Sequence, residues 1–230
     1  MPDVTVGDKA AYLAVPVASP GPWPGVVVIH EAFGLNADIR GHADRLAALG
    51  YLALAPDLYD GRSWLRCIRG MIRQLHAGSG PAFDALDACR GWLADRADCT
   101  GKTGVIGFCM GGGFALLCAP RGKYAAASVN YGEVPSDAET VLAGSCPIVA
   151  SYGGRDPMGT EAPKRLEAAL TALEVPHDVK VYPAAGHSFM SPKPAPLARL
   201  TALARMNYDK GAAEDAWQRI FAFFGKYLRD

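Results

Sequence analysis

A cysteine flanked by glycines is the strongest chemical signal in the chain. The run Gly104-Val105-Ile106-Gly107-Phe108-Cys109-Met110-Gly111-Gly112-Gly113 reads as a strand, then Gly-x-Cys-x-Gly-Gly, then a helix. A nucleophile elbow needs this order. The nucleophile sits on a strained strand-to-helix turn, and strand and helix pass so close that neighbouring side chains must vanish. Gly107 and Gly111 stand two residues before and two after Cys109, where bulk would clash. A helix beginning at once aims its N–H groups and positive dipole end at the thiol, favouring a thiolate and later an oxyanion. A phosphate-binding loop would instead want Lys and Ser/Thr at its end, and neither is there.

A thiol nucleophile needs a base, and the base needs an orienting acid. The five histidines are at 30, 42, 76, 177 and 187. His187, in Ala184-Ala185-Gly186-His187-Ser188-Phe189, lies in a glycine-bearing loop just after the last expected strand. That is where an α/β sheet presents groups beyond its carboxyl ends. His42 falls in an expected helix among charged residues and reads as solvated; His76 and His177 read as loop or turn residues, and His30 as a local packing or hydrogen-bonding group. The acid candidate is Asp156 in Gly153-Gly154-Arg155-Asp156-Pro157, again directly after a buried strand, although such a segment is also an ordinary turn. The chain order Cys109, Asp156, His187 favours the acid, because nucleophile, acid, histidine is the order of α/β hydrolases.

The elements that must position these groups alternate between short Val/Ile/Ala-rich runs and longer amphipathic stretches, the rhythm of a mostly parallel sheet with helices on both faces. Strands are expected at Val26–Ile29, Tyr51–Ala55, Thr103–Phe108, Ala125–Val129, Ile148–Tyr152 and Val179–Tyr182. Helices are expected at Ile39–Leu49, stopped by Gly50, around Phe83–Leu93, at Gly111–Leu117, at Pro163–Leu173 and from about Ala213 to Leu228. Pro192, Pro194 and Pro196 mark an irregular loop before the last helix. No shift of composition marks a boundary, so residues 1–230 are read as one domain.

Composition narrows the function classes. Half of the 230 residues are hydrophobic and a fifth charged, which excludes an intrinsically disordered chain. Lys plus Arg (23) balance Asp plus Glu (23), leaving no basic field for nucleic acid or a membrane surface. The apolar runs fall far short of the roughly 18 residues that span a bilayer, and no signal-like segment opens the chain. The six cysteines have no C-x-x-C spacing and no clustered His, so neither a metal site nor a disulfide scaffold is expected. A cytoplasmic monomer or small homo-oligomer is the expectation.

The ordered motifs Ile29-His30-Glu31-Ala32-Phe33-Gly34, Ala55-Pro56-Asp57-Leu58-Tyr59, Gly107-Phe108-Cys109-Met110-Gly111-Gly112, Gly153-Gly154-Arg155-Asp156 and Ala185-Gly186-His187-Ser188-Phe189 resemble the dienelactone hydrolase family. The resemblance runs from Val26 to Phe224. It implies an α/β-hydrolase fold and a cofactor-free Cys109–Asp156–His187 triad acting on a lactone or ester. The backbone N–H groups of Met110 and Ala32 would form the oxyanion hole. Glu31 matches a family glutamate that contacts the thiol at rest; a carboxylate there would disfavour the thiolate.

Substrate recognition departs from the resemblance. Family members are expected to hold a substrate carboxylate with two arginines, one shortly after the Pro-Asp-Leu-Tyr segment and one four residues beyond the triad histidine. Arg62 stands near the first position with a one-residue offset, and Ser191 occupies the second, with no arginine until Arg199. Serine offers a neutral hydrogen bond and no bidentate clamp. The expected substrate-facing residues are therefore Arg62, Ser191, Tyr131 and Phe33. Between Arg62 and Gly80, Trp64, Leu65, Ile68, Met71, Ile72 and Leu75 follow a helical stripe beside Arg66, Arg69 and Arg73. This is either a helix packed on the core with a solvated basic face, which is the preferred reading, or a lid bringing Arg62, Trp64 or Arg66 to the substrate. A general carboxylesterase or thioesterase with the same triad is the near functional alternative, and a non-catalytic redox sensor using Cys109 the more distant one.

Overall fold

The computed structural model describes residues 3–157, 159–192 and 207–229. Arg199, Pro194 and Pro196 of the sequence reading lie outside them.

Buried Val/Ile/Ala runs build the centre. Strands β1 (Asp3–Val6), β2 (Lys9–Ala14), β3 (Trp23–Ile29), β4 (Leu52–Pro56), β5 (Cys99–Phe108), β6 (Ala126–Asn130), β7 (Ile148–Gly153) and β8 (His177–Tyr182) form one sheet in the order β1-β2-β4-β3-β5-β6-β7-β8. At one edge β1 pairs antiparallel with β2, and β2 antiparallel with β4, while β3 to β8 run parallel to one another. The β1–β2 hairpin turns at Gly7, with φ at 62°. It was not read from the sequence, because its first strand is short and half exposed.

Side-chain alternation along each strand feeds two cores. Val27, Ile29, Leu54 and Val105 face helices α3 (Pro81–Ala94), α4 (Met110–Cys118) and α6 (Ala162–Ala172), through Phe83, Leu86, Phe114, Leu166 and Leu170. Val26, Val28, Ala53, Ile106 and Phe108 face α1 (Ala37–Ala48) and α7 (Lys210–Phe224), through Ile39, Leu46, Trp217, Ile220 and Phe224. The remaining helices are α2 (Trp64–Ala77) and the single-turn α5 (Ala138–Val141).

Local signals explain the helix bounds. The Asn36 side chain accepts from the Ile39 N–H to start α1. Past its end, Gly50 takes a left-handed φ of 81°, and the Tyr51 N–H returns to the Leu46 carbonyl. Asp209 caps α7 by accepting from Ala212. The final helix is regular only to Phe224 and continues as a π-type turn over Gly225–Arg229, which still buries Leu228.

The chain leaves β3 for β4 on one side, while β5 lies against β3 on the other, so the order reverses between β3 and β5. In open α/β sheets, ligands bind outside the carboxyl ends of the strands at such a switch point. Glu31 follows β3 and Cys109 follows β5. Among the described residues, no helix is long and apolar enough to cross a membrane.

Candidate active site

Cys109 stands between the end of β5 and the start of α4 with φ at 55° and ψ at −119°, a left-handed conformation costly for a residue with a Cβ. The crossing that holds it there tolerates no side chain. A Cβ on Gly107 would lie 1.9 Å from the carbonyl oxygen of Gly111, and one on Gly111 would lie 2.4 Å from that of Ile29. The Cys109 N–H donates to the Asn130 carbonyl at 3.0 Å, and the Asn130 side-chain amide donates to the Gly107 carbonyl at 3.1 Å. Neither role of Asn130 was read from the sequence, since a buried strand-end asparagine has no local signature.

His187 and Asp156 arrive from the loops after β8 and β7. His187 Nδ1–H donates to Asp156 Oδ2 at 2.7 Å, while Nε2 stands 3.0 Å from Cys109 Sγ. Both polar residues are buried, at 2% and 3% exposure. Burial works against a charged His187 imidazole, yet its hydrogen bonds to Asp156 and Cys109 push its pKa up to about 10. The loops are pinned by backbone bonds: Arg155 N–H donates to Ala185, and a Cβ on Gly153 would meet the Gly186 carbonyl at 2.4 Å. Of the five non-glycine residues with positive φ among the described residues, Cys109, Tyr131 and Ser188 surround this cluster.

Other thiols are set apart from Cys109 by their surroundings. Burial pushes those of Cys89, Cys118 and Cys146 up to about 12, so each stays protonated at neutral pH. The Met110 N–H is the first of α4, a position without an intrahelical acceptor, and Ala32 reaches the same cleft from the end of β3. The Tyr59 hydroxyl donates to the Ala32 carbonyl at 2.8 Å and fixes that loop. This contact, too, gave no signal in the sequence.

Glu31 is buried and accepts from the Ser191 hydroxyl at 2.9 Å and the Tyr131 hydroxyl at 3.3 Å. Burial, reinforced by the Glu31 charge, pushes the Tyr131 hydroxyl well above its usual range and keeps it a donor. Ser191 is fully buried behind Glu31, so the structure gives it a partner inside the protein and no place on the cleft wall. His30 packs locally as expected: Leu58 N–H donates to its Nε2, and its Nδ1 lies 2.7 Å from the Glu31 carbonyl. His42 corrects the sequence reading. It is buried, stacks on Phe108 at 4.3 Å and lies 3.4 Å from Ser191 Oγ, because α1 turns that side to the sheet.

The cleft above Cys109 has a volume of about 840 Å³. Ile68, Ile72 and Leu75 of α2 form one wall, and Val134, Tyr152 and Arg165 stand among the residues of the other. Tyr131 lines it; Phe33 does not, and instead packs edge-on against Trp64 at 5.4 Å with 39% exposure. Arg62 also lies elsewhere. Its guanidinium donates to Asp60 at 2.7 Å and faces a separate groove shared with Arg66, Arg69 and Arg73. Helix α2 therefore turns apolar residues to the cleft and its basic face away from it, so neither Arg62 nor Arg66 is brought to Cys109. Among the charged groups that do line the cleft, Arg165 donates to the Val134 carbonyl, and Glu133 lies 3.2 Å from His76.

A glycine-pinched elbow at the switch point of a mostly parallel sheet, with acid and histidine on the following loops, defines an α/β hydrolase. The sequence profile of the dienelactone hydrolase family matches residues 10–228, and the chain belongs to that family. It is a dienelactone hydrolase-like enzyme acting on ester or lactone bonds. A relative from Escherichia coli K12, provisionally named a carboxymethylenebutenolidase, is 32% identical over 237 residues, covering 94% of this chain and 82% of its own. Among solved structures, a provisionally named dienelactone hydrolase from Klebsiella pneumoniae shares 29% identity with a TM-score of 0.76, covering 95% of this chain and 93% of that one. The dienelactone hydrolase-like promiscuous phosphotriesterase P91 from metagenomic libraries shares 27% identity with a TM-score of 0.81, covering 98% and 96%.

Proposed function

We propose that this protein, as one domain, hydrolyses a neutral ester or lactone through an acyl-enzyme on Cys109. The observation that carries the reading is the continuous line from Asp156 Oδ2 to His187 Nδ1 at 2.7 Å and from His187 Nε2 to Cys109 Sγ at 3.0 Å. In acylation, Cys109 attacks as the thiolate of a Cys109–His187 pair whose proton sits on the charged imidazole, and Sγ bonds to the substrate carbonyl carbon. The carbonyl π pair moves onto oxygen, where the N–H groups of Met110 and Ala32 receive it. Collapse breaks the carbon–oxygen ester bond, and the leaving alkoxide takes the proton from His187. His187, neutral once it has given its proton to the alkoxide, then acts as base while water attacks the thioester; the acid departs, and the Cys109 thiolate is restored beside the re-protonated imidazole. Asp156 holds the imidazole tautomer and orientation throughout.

Glu31 is assigned to the resting enzyme. Held by Ser191 and Tyr131, its carboxylate would add negative charge near the thiol and disfavour the thiolate until substrate arrives. The neutral character of the substrate is supported by the lining: Arg62 and Ser191 are elsewhere, and the cleft carries Glu133, Asp156 and Glu161 against Arg165, whose guanidinium donates to the Val134 carbonyl. Turnover of p-nitrophenyl acetate by Cys109→Ala tests the assignment. A loss of at least about a thousandfold, with an unchanged circular-dichroism spectrum, is expected for removal of the nucleophile.

A further inference from the structure

We propose that the cleft above Cys109 continues, behind a His76–Glu133 bridge, into a second groove that takes the distal end of a medium-length neutral acyl chain. The proposal rests on the esterase reading above. Next to the cleft lies a groove of about 540 Å³, and the two share Leu75, His76 and Glu133 as lining residues. Those side chains form the partition between them. His76 ends α2, Glu133 follows β6, and their Nε2 and Oε2 atoms stand 3.2 Å apart.

The partition is built to open at low cost. Both side chains are more than half exposed, at 59% and 61%, and exposed pairs of this kind add little to stability. Helix α2 ends at Gly78, which has φ at 63°, and Gly80 follows with φ at 126°, conformations in which only glycine is unstrained. The other side is fixed, since a Cβ on Gly132 would lie 2.4 Å from the Gly112 carbonyl carbon. On the α2 side the Gly78 carbonyl accepts from Arg121 Nη2 at 2.9 Å, so the part that yields is the exposed His76 side chain and not the helix end. Beyond the partition, Gly113 and Leu117 of α4, Pro135 and Val141 continue the apolar wall that Ile68, Ile72 and Leu75 begin. Ser136 and Asp137 line the same groove, and both are exposed. An apolar tail ending in this groove suits a linear acyl group better than a charged one.

Each methylene moved from water into an apolar groove is worth up to roughly a fourfold gain in binding. The test compares kcat/KM for p-nitrophenyl octanoate and p-nitrophenyl acetate in wild type, His76→Ala and Glu133→Ala. Removing either partner of the bridge should raise the octanoate-to-acetate ratio about tenfold. Adding Ser136→Trp to His76→Ala, which places an indole at the groove, should return the ratio to the wild-type value. All three positions are exposed, so folding is not at stake. A ratio within twofold of wild type in both alanine variants, or a gain that survives Ser136→Trp, would overturn the proposal. The ratio can be read whichever group attacks the ester, so it stands apart from the role of Cys109, which the Cys109→Ala rate tests.

Discussion

The Ser191 hydroxyl donates to Oε1 of Glu31 across 2.9 Å, joining the loop after His187 to the end of β3. Both residues are buried, and Tyr131 supplies a second hydroxyl at 3.3 Å. Ser191 thus holds a carboxylate in place from inside the protein. Ser191→Ala should lower the unfolding free energy by about 1–3 kcal/mol, the cost of withdrawing a donor from a buried acceptor, measured by urea titration. Glu31→Gln should make Cys109 react faster with iodoacetamide, by up to about tenfold if the lost charge is worth one pKa unit. Equal alkylation rates across the neutral range would remove Glu31 from the resting-state role.

The glycines of the elbow should divide sharply from glycines elsewhere. Gly107→Ala would drive a Cβ into the Gly111 carbonyl, a backbone clash with no flexible side chain to absorb it. Loss of more than about 4 kcal/mol, or failure to fold, is expected. Gly91, in the last turn of α3, has open space around its missing Cβ. Gly91→Ala should therefore stabilise by about 0.5–1 kcal/mol. Thermal unfolding of the two variants beside wild type checks both signs.

The elevated His187 pKa has a consequence for stability. A folded-state pKa of about 10 against an ordinary 6.5 means that the native state holds a proton the unfolded chain has released. The stabilisation is complete below about pH 6.5 and is lost as pH rises towards 10. Urea midpoints of wild type should therefore fall relative to those of His187→Gln across that window. A constant difference would show that the Asp156 and Cys109 contacts do not hold the proton.

The elbow was legible in the sequence because its requirements are local: two glycines, one cysteine, a strand and a helix within ten residues. The parallel strands were legible because their buried runs are continuous. What could not be read depends on which way a helix or loop is turned. His42 looks solvated among charged neighbours, yet α1 presses it on Phe108. Arg62 sits near the right position in the sequence, but Asp60 and the turn after Tyr59 direct it into another groove. Asn130 and Tyr59 support the site through backbone carbonyls far away in sequence, for which a single chain offers no pattern.

Hydrolysis by this route requires a covalent acyl group on Cys109. That requirement is tested most directly by mixing the enzyme with p-nitrophenyl acetate, quenching in acid within the first turnovers, and locating the adduct by intact and peptide mass spectrometry. One acetyl group per chain is expected on the peptide carrying Cys109, longer-lived in His187→Gln, where deacylation lacks its base. Hydrolysis proceeding at the wild-type rate with no adduct on Cys109, or with the acetyl group on another residue, would contradict it.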